Sequence, residues 1–254
     1  MLSRYRARHP GAKLPKMLLF EFCHFLSITF IKICYRPFHK GVEKVPARGA
    51  FLIVSNHQSF FDPPLVGGLI TTRHTDFIAR AGLFKFKPFG WLIAALNSIP
   101  VAGDGNDTAA MKEALRRLAL GRCVILFPEG SRTPDGAMRP FKRGIALLVK
   151  RAKCPVMPAA IEGVYDAWPR RNARPYFFGK RIAVMYGDPI PHDDLMKDGP
   201  DAALRRLEVE IDRMRLMLRA RLRERTGGTL PAPGPGDEPY DPDAAAVDPP
   251  ADEN

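Results

Sequence analysis

Two short apolar runs, AFLIVS at residues 50–55 and RCVILF at 122–127, constrain this chain most: each is followed at once by polar, turn-forming residues. Apolar stretches of that length, bounded by turn formers, fit buried strands better than helices. Further β-rich runs at 76–79, 98–101, 155–161 and 182–185 alternate with helical stretches. Asp62 is placed to cap a helix that begins at Pro63, and Asp107 to cap one running to Leu120, with Met111, Leu115 and Leu118 on one face and Gly121 as its stop. Lys87-Pro88 and Gly90 divide the apolar segment before Leu96, and another helix is expected over 142–153. Strands alternating with helices predict one α/β domain, with a mostly parallel or mixed central sheet flanked by helices.

The flanks differ from this body. Residues 1–16 are basic and carry Pro10 and Pro15, as a loose arm would. From 17 to 35 runs a Phe-rich helical stretch in which Glu21, His24 and Lys32, joined by Arg36, fall within a narrow arc. An amphipathic helix lying in the headgroup boundary has this pattern; a core helix with a wet edge and a single membrane crossing are the alternatives. At the other end, residues 202–225 place Leu204, Leu207, Ile211, Met214, Leu218 and Leu222 at three- and four-residue steps among eight arginines, which predicts a helix packed by its leucines with its charges solvated. Beyond Thr226, seven prolines and seven acids predict a disordered tail. The expected division is therefore 1–38 for arm and interfacial helix, 39–226 for the folded domain and 227–254 for the tail.

The formal charge is +12, and because the tail holds seven acids and no Lys or Arg, the first 226 residues carry +19. Such an excess predicts an anionic partner. No aromatic RNA-binding signature, zinc finger or basic coiled coil accompanies it, so nucleic acid is not expected. Cys23, Cys34, Cys123 and Cys154 are scattered, form no metal-ligand spacing, and are read as reduced thiols of a cytosolic compartment. The N-terminus lacks the layout of a secretory signal.

The chemistry lies in the segments after the two apolar runs. His57 falls where a strand ends and Asp62 where a helix begins, so the intervening loop can bring the side chains together. A carboxylate on one ring nitrogen fixes the tautomer and leaves the other free to take a proton. In the second segment, Phe127-Pro128-Glu129-Gly130-Ser131-Arg132-Thr133, Pro128 and Gly130 bend the chain and should expose Glu129 and Arg132 at the sheet end, where open α/β sheets bind ligands. The guanidinium of Arg132 is a planar fork suited to phosphate. A plain surface pair of Glu129 with Arg132 is the alternative.

Asn56-His57 with Asp62, SIPVAG at 98–103, the Phe127–Thr133 segment and CPVMP at 154–158 occur in this order. Over roughly residues 50–162 the chain thereby resembles the glycerolipid acyltransferases of the lysophosphatidic acid acyltransferase type. That family carries Asn-His-x4-Asp, a second block ending in Arg, Phe-Pro-Glu-Gly-Thr-Arg-Ser and Val-Pro-x-x-Pro. The resemblance implies a glycerol-phosphate acyltransferase-like fold and an O-acyltransferase of phospholipid synthesis. His57, with Asp62, would deprotonate the hydroxyl of a lysophosphatidic acid-like acceptor that attacks a thioester, either acyl-CoA or acyl carrier protein. It implies Asn56, Glu129, Gly130, Ser131 and Arg132 as substrate-binding residues, with Glu129 accepting a hydrogen bond from a glycerol hydroxyl. No metal or bound cofactor is implied beyond the acyl donor as co-substrate. The partners implied are a membrane lipid acceptor and an anionic bilayer, with membrane association at the cytoplasmic face.

The second block departs from the family, because Gly103 stands where its phosphate-directed Arg is expected. Either Arg80, Lys85, Lys87 or Lys142 substitutes, or the acceptor is a different lysolipid or polar lipid. Two other classes use the same residues differently: a thioester hydrolase in which His57 activates water, and a non-enzymatic basic binder. The absence of Gly-x-Ser-x-Gly removes the usual serine nucleophile from the former but not a water mechanism.

Overall fold

The computed structural model describes residues 8, 10–11, 13–101 and 108–243. Seven strands form one sheet: β1 (Phe38–Lys40), β2 (Phe51–Ser55), β3 (Thr75–Arg80), β4 (Ser98–Val101), β5 (Cys123–Leu126), β6 (Val156–Glu162) and β7 (Ala183–Tyr186). Their order across the sheet is β1-β7-β6-β2-β5-β3-β4. All neighbouring pairs are parallel except β6 with β7, so the sheet is mixed, with a parallel centre. Strand β1 was not expected: three residues with two exposed side chains leave no periodicity to read.

The apolar runs are central strands because helices cover both faces. Side chains alternate across a strand. Leu52 and Val54 of β2 join Val124 and Leu126 of β5 on one face, packed with α4 (Thr108–Ala119), α5 (Gly144–Ala152) and α8 (Pro200–Arg225). Phe51, Ile53, Cys123 and Ile125 join the opposite face, under α1 (Leu14–Tyr35) and α2 (Asp62–Gly68). Three more helices, α3 (Lys87–Ala95), α6 (Val164–Ala167) and α7 (His192–Met196), fill connections. Residues 102–107 lie outside the described residues, and with them the Asp107 cap and Gly103.

Helix α1 lies against α2, and its polar stripe straddles the seam between helix and body. Glu21 accepts hydrogen bonds from Arg8 at 3.0 Å and His74 at 2.9 Å, and His24 donates from Nε2 to the Gly68 carbonyl at 2.6 Å. Lys32 and Arg36 are exposed. The face turned away from the body is apolar: Leu18, Phe22, Phe25, Leu26 and Ile33 are all exposed, Phe25 by 65%. Length and composition would let α1 cross a membrane, with a mean hydropathy of 1.7 over its most apolar stretch.

Helix α8 packs its six predicted core residues as expected, but not all of its arginines are solvated. Arg215 is fully buried and Arg219 nearly so. Their partners correct the expectation for the C-terminal segment. Arg215 donates to the Gly236 carbonyl at 2.5 Å and the Glu238 carbonyl at 3.1 Å, and Arg219 donates to the Asp237 carboxylate at 2.6 Å and the Ala232 carbonyl at 2.6 Å. Tyr240 continues the contact, through its N–H to Asp212 at 2.8 Å and its hydroxyl to Glu208 at 3.1 Å. Residues 227–243 therefore form an ordered strap antiparallel to α8. Composition had pointed to disorder because it registers few apolar residues and cannot register buried guanidinium groups that need acceptors. Residues 244–254 lie outside the described residues.

Candidate active site

Strands β2 and β5 are adjacent and parallel, so the loops leaving their C-terminal ends emerge side by side. The loop after β2 carries Asn56 to Phe61, and that after β5 carries Phe127 to Thr133. Three contacts tie them together. The His57 N–H donates to Glu129 Oε1 at 2.7 Å, the Thr133 N–H donates to the His57 carbonyl at 2.9 Å, and the Phe127 ring stacks on the imidazole at 4.6 Å between centroids.

His57 Nδ1 donates to Asp62 Oδ2 at 2.6 Å. The same oxygen accepts the N–H groups of Gln58 at 2.6 Å and Ser59 at 2.7 Å. Asp62 is thus the first residue of α2, not its cap: its carboxylate turns back to gather the preceding loop, leaving the helix without a side-chain cap. Burial pushes the Asp62 carboxyl up, against the opposing pull of the imidazole and the two N–H groups. The imidazole side chain is 19% exposed. Its Nε2 has no protein partner among the described residues.

The remaining predicted residues divide by role. Asn56 is buried, and its amide donates to the Ile161 carbonyl at 3.0 Å and accepts the Ile161 N–H at 2.8 Å. It sews the end of β2 to β6. Glu129 is buried as well, contrary to the exposed position expected. Its oxygens accept from two backbone N–H groups, His57 and, at 3.3 Å, Arg139. Desolvation raises its carboxyl well above the usual range. No Glu129–Arg132 pair forms. Ser131 accepts a hydrogen bond from Arg139 at 2.8 Å. Gly130 adopts a φ of 72°, in the left-handed region where a side chain is strained, so this bend favours glycine.

Two buried side-chain atoms of the loop pair lack a hydrogen-bond partner among the described residues, Asp62 Oδ1 and Arg132 Nη1, and the second is a cationic donor. The Arg132 guanidinium lies 3.5 Å over the Phe60 ring. Burial and the charges of Arg170 and Arg80 pull its pKa down, which identifies two neighbouring cations. Arg80 donates to the Gly130 carbonyl at 3.2 Å, and Arg170 donates to the Arg132 carbonyl at 3.3 Å. Of the four substitutes weighed for Gly103, the structure brings Arg80 and Lys142 to this loop, while Lys85 and Lys87 are exposed. Arg170 had no signal, since it lies 38 residues from Arg132 in a turn with no recognisable spacing. Gln58 and Arg139 were missed too; the side-chain partners of Gln58 lie 104 to 107 residues away and leave no local pattern. Among the described residues no three His, Cys, Asp or Glu side chains converge as metal ligands.

A family model described as Acyltransferase matches residues 36–162, the stretch that holds both loops and the strands beneath them. The chain belongs to the acyltransferase family. Among its relatives, the chloroplastic 1-acyl-sn-glycerol-3-phosphate acyltransferase of Brassica napus is 29% identical over 167 residues, covering 61% of this chain and 48% of that protein. The 1-acyl-sn-glycerol-3-phosphate acyltransferase alpha of Ovis aries is 31% identical over 180 residues, covering 68% of this chain and 61% of that protein. The chain thus spans about half the length of the plant relatives it matches. The crystal structure of the 1-acyl-sn-glycerophosphate (LPA) acyltransferase from Thermotoga maritima matches with a TM-score of 0.69 and 28% identity, covering 81% of each chain. The fold is therefore shared beyond the family segment.

Proposed function

We propose that this chain transfers a fatty acyl group from a thioester, acyl-CoA or acyl carrier protein, to the hydroxyl of a lysophosphatidic acid-like acceptor in phospholipid synthesis. The observation that carries the reading is a bare imidazole Nε2, oriented by Asp62, in the same loop pair as a buried guanidinium nitrogen that lacks an acceptor. A buried unpaired donor is costly, and an anionic oxygen would relieve that cost.

In this reading His57 Nε2 takes the acceptor's hydroxyl proton as the oxygen bonds to the thioester carbonyl carbon. Asp62 stabilises the imidazolium. Collapse of the tetrahedral adduct breaks the C–S bond, and the departing thiolate takes the proton from Nε2, which leaves an ester, a free thiol and the neutral imidazole. A positioned base of this kind is worth about 10² to 10⁴ in rate. Arg132, flanked by Arg80 and Arg170, holds the acceptor phosphate and so supplies the charge that Gly103 does not. Glu129 binds no substrate in this mechanism; it holds the His57 backbone in register with the second loop.

In this reading the chain works at the cytoplasmic face of a bilayer, and the outward apolar face of α1 supports the bilayer contact itself. Phe86, Trp91 and Phe178 are also exposed, and Phe177 packs edge-on against Phe30 of α1 at 6.0 Å, which extends the apolar surface. Aromatic rings beside exposed Lys85, Lys87 and Lys32 suit an anionic interface. The reaction calls for no metal or bound cofactor. Thiol release assayed with lysophosphatidate, glycerol 3-phosphate and an uncharged lysolipid tests the proposal: lysophosphatidate should stimulate most. Release equally fast without any acceptor would instead establish a hydrolase.

A further inference from the structure

Gln58 stands between the two residues assigned to proton transfer, and it is anchored from behind by the C-terminal strap. Its backbone N–H helps hold Asp62. Its side chain accepts the N–H groups of Val164 and Tyr165, each at 3.2 Å, and donates to Glu162 Oε2 at 3.3 Å. Glu162, buried at the end of β6, also accepts from Arg219 at 2.9 Å and pairs with Arg215 at 3.5 Å. Both arginines reach residues 232–238 of the strap, and Asp237 accepts from Arg223 as well, at 3.0 Å.

We infer that Asp237 and Arg219 are positioning residues for the acyl-transfer site, acting through Glu162 and Gln58 on the loop that bears His57. Charge-assisted hydrogen bonds run unbroken from the strap to Glu162, and one amide carries the connection to the loop. A second contact reaches the other loop. Gly236 lies so close to the Gly136 carbonyl that a Cβ on it would sit at 3.1 Å, and Gly136 belongs to the turn that begins at Thr133, whose N–H bonds to His57. A cavity of about 260 Å³, bordered by Tyr165, Asp166, Glu162, Arg219 and residues 232–235, separates the strap from the sheet edge. The connection is therefore polar and specific, with little apolar packing to replace it. Removing the Asp237 carboxylate leaves the Arg219 guanidinium to swing toward that cavity and slackens its hold on Glu162. Slight misplacement of a catalytic group costs rate more than binding.

The inference rests on the acyltransferase reading, and the test separates the two. In the full chain, Asp237→Ala should lower kcat about tenfold, with both KM values within about twofold, and Asp237→Glu should restore most of it. In a Gln58→Met background, which keeps the volume but loses the amide, Asp237→Ala should cost less than about twofold more, because the two changes break one connection. An unchanged kcat in Asp237→Ala, or a full tenfold loss repeated in the Gln58→Met background, would overturn the inference while leaving the parent's activity in place. If Gln58→Met does not fold, the His57 ring signals in NMR spectra of Asp237→Ala decide: a shifted imidazole supports the connection, and an unmoved one removes it. A parent that transfers no acyl group sinks the functional proposal instead.

Discussion

The sheet edge and helix α1 each leave something unsatisfied, of opposite kinds. At the sheet edge Asn56, Gln58, Ser131 and Glu129 are bonded to backbone or to neighbouring side chains, and among the described residues the buried side-chain atoms of the two loops left without a partner are Asp62 Oδ1 and a cationic nitrogen, Arg132 Nη1. On α1 the polar groups of Glu21 and His24 are bonded to the body, and what remains is an apolar face. An unpaired guanidinium calls for an anion, and an uncovered row of Phe and Leu calls for an apolar medium. One lipid with a phosphate head would meet both needs.

The sharpest way to break the comparison is at the site. Asp62→Asn should lower kcat about 10³-fold with little change in either KM, since an amide can no longer fix the imidazole with Nδ1 protonated. Retained turnover would show that Asp62 only gathers the loop. Arg132→Ala should reduce kcat/KM for a phosphorylated acceptor about 10- to 100-fold while leaving the acyl-donor KM within about twofold. Equal losses for phosphorylated and uncharged acceptors would remove the phosphate from this account.

On the other region, Phe22→Asp with Phe25→Asp should weaken sedimentation with anionic vesicles at least about tenfold, because two aromatic anchors are replaced by charges that the bilayer repels. Binding that persists would place the membrane contact elsewhere. The smallest effect concerns how α1 is held. His24 is raised above its ordinary 6.5, chiefly by the Glu21 carboxylate, and Glu21 is depressed below its ordinary 4.5 by His24 and His74. The raised His24 contributes fully below pH 6.5 and is lost as pH rises through its folded value; the depressed Glu21 contributes above pH 4.5 and is lost as pH falls through its own. Hydrogen-exchange protection of α1 should therefore be greatest between those values, and it should decline by about two- to fivefold above them, an amount limited by solvent screening. In His24→Ala the decline on the alkaline side should vanish.

Sequence legibility followed the same division. Strands β2, β5, β6 and β7 were readable from apolar runs, and the His57–Asp62 pair from a strand end and helix start five residues apart. Local order set both. Glu129 was expected at the surface and is buried, and the ties of Glu129 and Asn56 went unread, because hydrogen bonds to backbone 72 and 105 residues away leave no local pattern. Arg170 and the strap were missed for a related reason: each is an arginine contact between segments with no shared periodicity. The polar stripe of α1 was visible, but only the packed body shows that it marks a seam and that the outward face is apolar.

The proton-transfer claim is tested most directly by thiol release from a long-chain acyl-CoA, with and without lysophosphatidate, in the parent and in His57→Ala at matched folding. We expect lysophosphatidate to stimulate release in the parent, and the His57→Ala variant to lose about 10²- to 10⁴-fold of that stimulated rate. A variant as responsive to the acceptor as the parent would contradict it.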